Sequence, residues 1–354
     1  MNMEGKMADE VNEIEEEAEP ESLRYKISSY GADYPVDSLV KRLNGDIIYL
    51  PEFQRHYVWS MTQASKFIES LLLGLPVPGI FLSKVPESNK MEIIDGQQRL
   101  RTLEYFYSGE FKGSIFKLTG ITSQYEGKTY KTLAPEDRQV LDDAIIHTTI
   151  IRQDEPKNDD SSIYYIFERL NTGGTLLRPQ EIRACVYHGG LNKFLSELET
   201  DKSWLIIYGK PDNRLKSQET ILRFFSFLFY KDKYQKPLKE FLNQYMSANR
   251  NFEIQSREEM EDIFRLTAKY LADSLGASAF RPKGQLVASI IDSVMVSAAK
   301  GLKQKLNIPP KVFTQRYDSL VQNTDYLDYA TNATSDEKVV EKRFQKSDSV
   351  LLEL

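Results

Sequence analysis

Met91-Glu-Ile-Ile-Asp-Gly-Gln-Gln-Arg-Leu-Arg-Thr-Leu-Glu-Tyr-Phe-Tyr107 changes its periodicity halfway along. An apolar run (Met91, Ile93, Ile94) ends at Asp95-Gly96, after which Leu100, Leu103 and Phe106-Tyr107 recur at helical spacing. The pattern predicts a strand, a glycine turn and the start of a helix. Gly96 permits a tight backbone turn and the close approach of another molecule. The unpaired N–H groups of a new helix suit an anion. Gln97, Gln98, Arg99 and Arg101 crowd that end with donors. Cations in a first helical turn oppose the helix dipole, so they serve stability poorly and a phosphate well. A plain strand–helix turn with an exposed Arg fits the same local pattern. Asp95, at the strand end, has three available roles: a metal held through water, a base, or a helix cap.

The flanking sequence divides by period. Residues 35–43 read as a short helix capped by Asp37 or Ser38 and ended by Asn44-Gly45. Residues 46–50 read as a strand stopped by Pro51. Ser60 caps an amphipathic helix with Ala64, Phe67, Ile68, Leu71 and Leu72 on one face, ended by Gly74 and Pro76. Residues 80–83 form a strand, 114–133 strands and turns, 135 onward a short helix, and 144–152 a β-branched strand. After Ser161 the pattern is helical throughout, over 161–170, 179–188, 191–200, 217–231, 236–247, 255–275, 285–300, 309–322 and 335–351. The expected fold class is α+β. A mixed α/β domain covers 25–155 and an all-α domain covers 156–354, divided at the loop-like run 154–160.

Composition narrows the function classes. At 354 residues the chain is long enough for about two domains, and its apolar fraction, 41%, is ordinary for a soluble globular protein. No apolar stretch reaches membrane-spanning length; 71–80 is short and broken by Gly74, Pro76 and Pro78. The acidic N-terminus is neither a signal nor a transit peptide, and the single cysteine, Cys185, fits a reducing cytoplasm. Three histidines and one cysteine are a poor basis for a finger-type zinc site, whereas a metal held by carboxylates and phosphates stays open. Residues 1–24 carry nine acids against Lys6 and Arg24, a charge of −7 that exceeds the −6 of the whole chain. The segment reads as a disordered acidic tail, and the body is left near +1, which neither supports nor excludes nucleic acid.

Two further segments share the character of the Asp95 turn. In Pro51-Glu-Phe-Gln-Arg-His-Tyr-Val-Trp59, Gln54 and Arg55 sit in an apolar, aromatic setting, and a guanidinium offers a planar fork for phosphate. In Phe167-Glu-Arg-Leu-Asn-Thr-Gly-Gly-Thr175, Asn171, Gly173 and Gly174 make either a helix C-cap with its turn or a set of ligand donors. With Leu71–Pro78, the complete Asp95-Gly-Gln-Gln-Arg99 and Pro179-Gln-Glu-Ile-Arg183, these segments resemble the N-terminal domain of the GmrSD-type restriction endonucleases. That family is related in fold to ParB and sulfiredoxin. The resemblance runs from about 35 to 188, with a weaker echo at 213–224.

The resemblance implies nucleotide binding and hydrolysis, with Mg²⁺ accompanying the NTP, in DNA-directed phage defence. It places phosphate contacts on Gly96, Gln97, Gln98 and Arg99, with Gln54 and Arg55 converging on them. Arg169, Asn171, Gly173 and Gly174 close the pocket, and Asp95 is the acid/base or metal-linked residue beside catalytic Arg99. Relatives often carry a C-terminal nuclease with a His-based centre. No histidine follows His188 here, so either the chain lacks cleavage activity or a separate nuclease subunit supplies it. Basic residues interleaved with aromatics (Arg214, Lys216, Arg223, Lys231, Lys233, Lys236, Lys239) mark the helical half as a candidate DNA face, or simply a solvated one. The main expectation is an NTPase that licenses a DNA-processing partner. The alternative is a non-catalytic DNA-binding or adaptor module using the same phosphate site. A thiol-redox role is poorly supported, because Cys185 falls on a helix beside Ile182 and Val186.

Overall fold

The computed structural model describes residues 26–49, 57–85, 88–121, 124–155, 161–170, 178–212, 214–282 and 284–353. The acidic segment 1–24 lies outside them. Two compact units are present, one within 24–177 and one within 178–354.

The first unit is α+β, as the sequence predicts. Its elements are β1 (Lys26–Pro35), α1 (Val36–Asn44), β2 (Ile48–Tyr49), α2 (Met61–Leu72), β3 (Ile80–Lys84), β4 (Met91–Asp95), α3 (Gln97–Ser108), the small pair β5 (Glu110–Phe111) and β6 (Ser114–Ile115), α4 (Pro135–Asp143), β7 (Ile145–Glu155) and α5 (Ser161–Leu170). The main sheet has the order β1-β7-β3-β4-β2. The pairs β1/β7 and β3/β4 are antiparallel, while β3/β7 and β2/β4 are parallel. Leu82, Ile93, Ile146 and Ile150 of the sheet form one buried core with Leu39, Ile68, Leu103 and Phe106 of the helices. Each such side chain contributes about 1.5–3 kcal/mol on burial.

Local signals explain most boundaries. The hydroxyl of Ser60 accepts from the Gln63 amide, and the Gln63 side chain accepts from the Ser60 amide, closing a capping box on α2. The cap expected for α1 at Asp37 or Ser38 is not there. The helix starts directly after Pro35, and Asp37, inside the first turn, pairs with Lys41 at 2.8 Å. The ten-residue β1 has no counterpart in the periodicity reading. It is an edge strand on which Ser29, Tyr30, Gly31 and Asp33 are exposed, so no apolar alternation marks it.

The second unit is helical: α6 (Pro179–Val186), α7 (Gly190–Leu198), α8 (Lys202–Ile207), α9 (Lys216–Phe229), α10 (Leu238–Ala248), α11 (Arg257–Leu275), α12 (Ala288–Lys303), α13 (Pro310–Gln322), α14 (Thr324–Thr331) and α15 (Glu337–Leu352). The apolar α12 is central and packs against α9, α11 and α15. The short α8 and α14 went unseen in the sequence, being too brief for a helical period to register. Among the described residues no helix is long and apolar enough to cross a membrane.

Candidate functional site

The corner between β4 and α3 has the predicted form of strand, glycine and helix. Gly96 is the N-cap of α3 with a left-handed backbone (φ +101°), and it has no side chain with which to cap the helix. A Cβ on Gly96 would stand 2.4 Å from Ile80 Cγ2. The close approach that glycine permits is therefore taken up by a core side chain of β3.

Asp95 does not cap α3. Its Oδ2 accepts from Arg99 Nη2 at 2.7 Å, and the same nitrogen donates to the carbonyl of Gly79 at 2.9 Å. The guanidinium thus joins the end of β4 to the residue that precedes β3. The Arg99 side chain is 15% exposed and that of Asp95 47%. Among the described residues Arg99 Nε is buried without a hydrogen-bond partner, and of the two Asp95 carboxylate oxygens only Oδ2 is bonded. A buried unpaired donor is uncommon in a folded protein and marks a place where a ligand or water fits.

Gln98 turns its side chain toward the first motif. Its Oε1 accepts from the amides of Val58 (2.9 Å) and Trp59 (3.3 Å). Thr102 donates its hydroxyl proton to the Gln98 carbonyl at 2.7 Å, so the Tyr57 hydroxyl, 2.7 Å from Thr102 Oγ1, is the donor of that pair. Burial pushes the Tyr57 phenol up to about 12. Two motifs separated by some forty residues are thereby fastened to one turn of helix. Gln97 is partly buried in the same turn, and Arg101 pairs with Glu104.

Arg169 is exposed in the last turn of α5, a helix that packs on β4. Gln54, Arg55, Asn171, Gly173 and Gly174 lie outside the described residues. Among the described residues no three His, Cys, Asp or Glu side chains form a metal-binding group, and the Asp95 carboxylate already holds a guanidinium.

In the helical unit, several residues of the expected basic face are committed internally. Arg223 donates from Nε and Nη2 to the two oxygens of Asp292, at 3.1 and 2.7 Å, in the core. Arg214 donates from Nε and Nη2 to Glu181, and Lys231 pairs with Glu341. Arg183, in the Pro179–Arg183 motif, is buried against Gln180, Glu219 and Asn243. Cys185 is buried, with its thiol toward the Glu181 carbonyl. Residues 179–183 and 214–224 therefore build the scaffold of this unit.

No curated protein matches the chain. The family model described as GmrSD restriction endonuclease, N-terminal domain, matches residues 36–188, from α1 through α6. Over residues 36–188, which include the Asp95–Arg99 corner, the chain matches the GmrSD-type N-terminal domain family.

Proposed function

We propose that the chain binds and hydrolyses a nucleoside triphosphate at the β4–α3 corner, as part of a DNA-directed, restriction-type defence system. The observation that carries this reading is the corner itself. An uncapped first helical turn lies beside a carboxylate–guanidinium pair that, among the described residues, has one unbonded carboxylate oxygen and one buried, unpaired N–H. Phosphate oxygens take the amides of the first turn and the Arg99 guanidinium. Hydrolysis of a terminal phosphate requires mainly positioning and charge stabilisation, which Arg99 supplies, while Asp95 Oδ1 orients the attacking water. Mg²⁺ is assigned no step beyond travelling with the nucleotide. DNA cleavage is assigned to a separate nuclease subunit.

One observation favours the alternative of a non-catalytic DNA-binding or adaptor module. Both hydrogen bonds of Arg99 are internal, so the pair also holds the fold together. Phosphate release from ATP, GTP, CTP and UTP with Mg²⁺, with and without DNA, separates the two. Release by the wild type that Asp95→Asn loses supports the NTPase. No release by the wild type under any of these conditions rejects it.

A further inference from the structure

We infer that His147, oriented by Asp33, is the proton-accepting residue of this same corner. The inference rests on the nucleotide-hydrolysis reading above. His147 Nδ1 lies 2.6 Å from Asp33 Oδ1, across the β1/β7 pair. The two side chains are 77% and 58% exposed. An exposed cross-strand pair of this kind contributes little to stability. Its geometry has a chemical use. A carboxylate on Nδ1 fixes the tautomer and leaves Nε2 as the acceptor directed away from it.

Strand register places the pair at the Asp95 corner. Phe81 of β3 is paired both with Asp95 of β4 and with Thr149 of β7. Thr149 and His147 are two residues apart on one strand, so Phe81, Thr149 and His147 share a face of the sheet, and Asp95 meets Phe81 across the register shift between Phe81 and Leu82. Asp33 pairs directly with His147 and joins that face. It is the face opposite Ile80, Leu82, Ile146 and Ile150, which turn into the core. The relevant strand ends also coincide. Asp95 ends β4, Gly79 precedes β3, His147 lies near the start of β7 and Asp33 near the end of β1. Gly79 links the two groups, since its carbonyl accepts from Arg99 and a Cβ on it would stand 2.7 Å from the His147 carbonyl oxygen.

Two strand spacings separate β4 from β7, about 10 Å. A carboxylate and an imidazole reaching from those strands can meet one terminal phosphate and its attacking water. The water oxygen bonds to the terminal phosphorus, and the bond from that phosphorus to the bridging oxygen breaks. The electron pair of that bond leaves with the nucleoside diphosphate, and the water proton passes to His147 Nε2. Asp33 is a positioning residue.

Steady-state phosphate release and nucleotide affinity of the full chain test this, for wild type, His147→Ala, Asp33→Asn and Asp95→Asn. The expected result is a loss of about a hundredfold in kcat for His147→Ala. Nucleotide affinity and Tm stay near wild type, and added imidazole restores part of the rate. Asp33→Asn loses less and keeps its affinity. Wild-type turnover by His147→Ala, beside an inactive Asp95→Asn, overturns the role of His147 and leaves the nucleotide reading standing. A loss accompanied by a lowered Tm and no imidazole rescue marks a structural role and also overturns it. Absence of turnover in the wild type removes both readings.

Discussion

Ile80 occupies the space that a side chain on Gly96 would need. A Cβ there would lie 2.4 Å from Ile80 Cγ2 and 2.9 Å from Ile80 Cβ, at a backbone φ of +101°. The glycine of the motif is thus fixed by packing as well as by the turn. Gly96→Ala combines left-handed strain of about 1–2 kcal/mol with overpacking of about 1–3 kcal/mol. A urea midpoint lowered by that sum is expected. Ile80→Ala in the same background removes Cγ2 while leaving Cβ and the strain, so the double variant recovers only part of what the two separate losses would give. Strict additivity in that cycle would show that the contact carries no energy.

The Arg99 guanidinium ties Asp95 to Gly79, so truncating it has two consequences. Arg99→Ala loses the ion pair, which is screened because Asp95 is half exposed, and leaves the Gly79 carbonyl unpaired. A destabilisation of about 1–3 kcal/mol follows. Nucleotide binding should disappear as well. Arg99→Lys retains a charge without the planar fork, and it should fold near wild type while binding nucleotide at least tenfold more weakly. Thermal melts alongside titrations distinguish the two effects.

Gln98 holds the 57–59 segment through two backbone amides. Gln98→Ala releases both, and hydrogen exchange at Val58 and Trp59 should accelerate while α3 itself stays protected. Unchanged exchange at those amides would show that Tyr57 and its Thr102 contact suffice to hold the segment.

Tyr57 gives a pH signature. Its folded phenol titrates at about 12, above an ordinary value of 10, because burial favours the neutral ring. The associated stability is complete below pH 10 and is lost as pH rises toward 12. Between those limits the denaturation midpoint should fall less steeply in Tyr57→Phe than in wild type.

Asp292 sits in the core of the helical unit, with Arg223 paired to both oxygens and Arg343 Nη2 4.0 Å away. Removing the carboxylate leaves buried guanidinium charge uncompensated. Asp292→Ala should lose about 3–5 kcal/mol, and the paired change Asp292→Leu with Arg223→Met should lose less. Calorimetry of the two variants checks the order.

Much of this architecture was legible in the residues. The Asp95-Gly96 corner, the Ser60 cap and the long helices of the second unit follow from periods and caps that act over a few residues. What escaped has a common physical origin. Strand β1 lies at a sheet edge and shows no apolar alternation, and α8 and α14 are too short to display a period. Gly79 for Arg99, Val58 for Gln98 and Asp292 for Arg223 lie 20 to 69 residues away, and no local pattern announces them. Asp33 and His147, 114 residues apart, meet only because β1 and β7 pair. Arg214 and Arg223 read as members of a basic face because the sequence does not show which carboxylates they meet.

The most direct test of the central claim is amide hydrogen exchange of the wild type titrated with a non-hydrolysable nucleoside triphosphate. Binding at the β4–α3 corner predicts slowed exchange at Gly96, Gln97, Gln98 and Arg99, saturating with the nucleotide and needing at least tenfold more nucleotide in Arg99→Lys. Saturable protection elsewhere in the chain, with those four amides unchanged, would contradict the assignment of the corner as the nucleotide site.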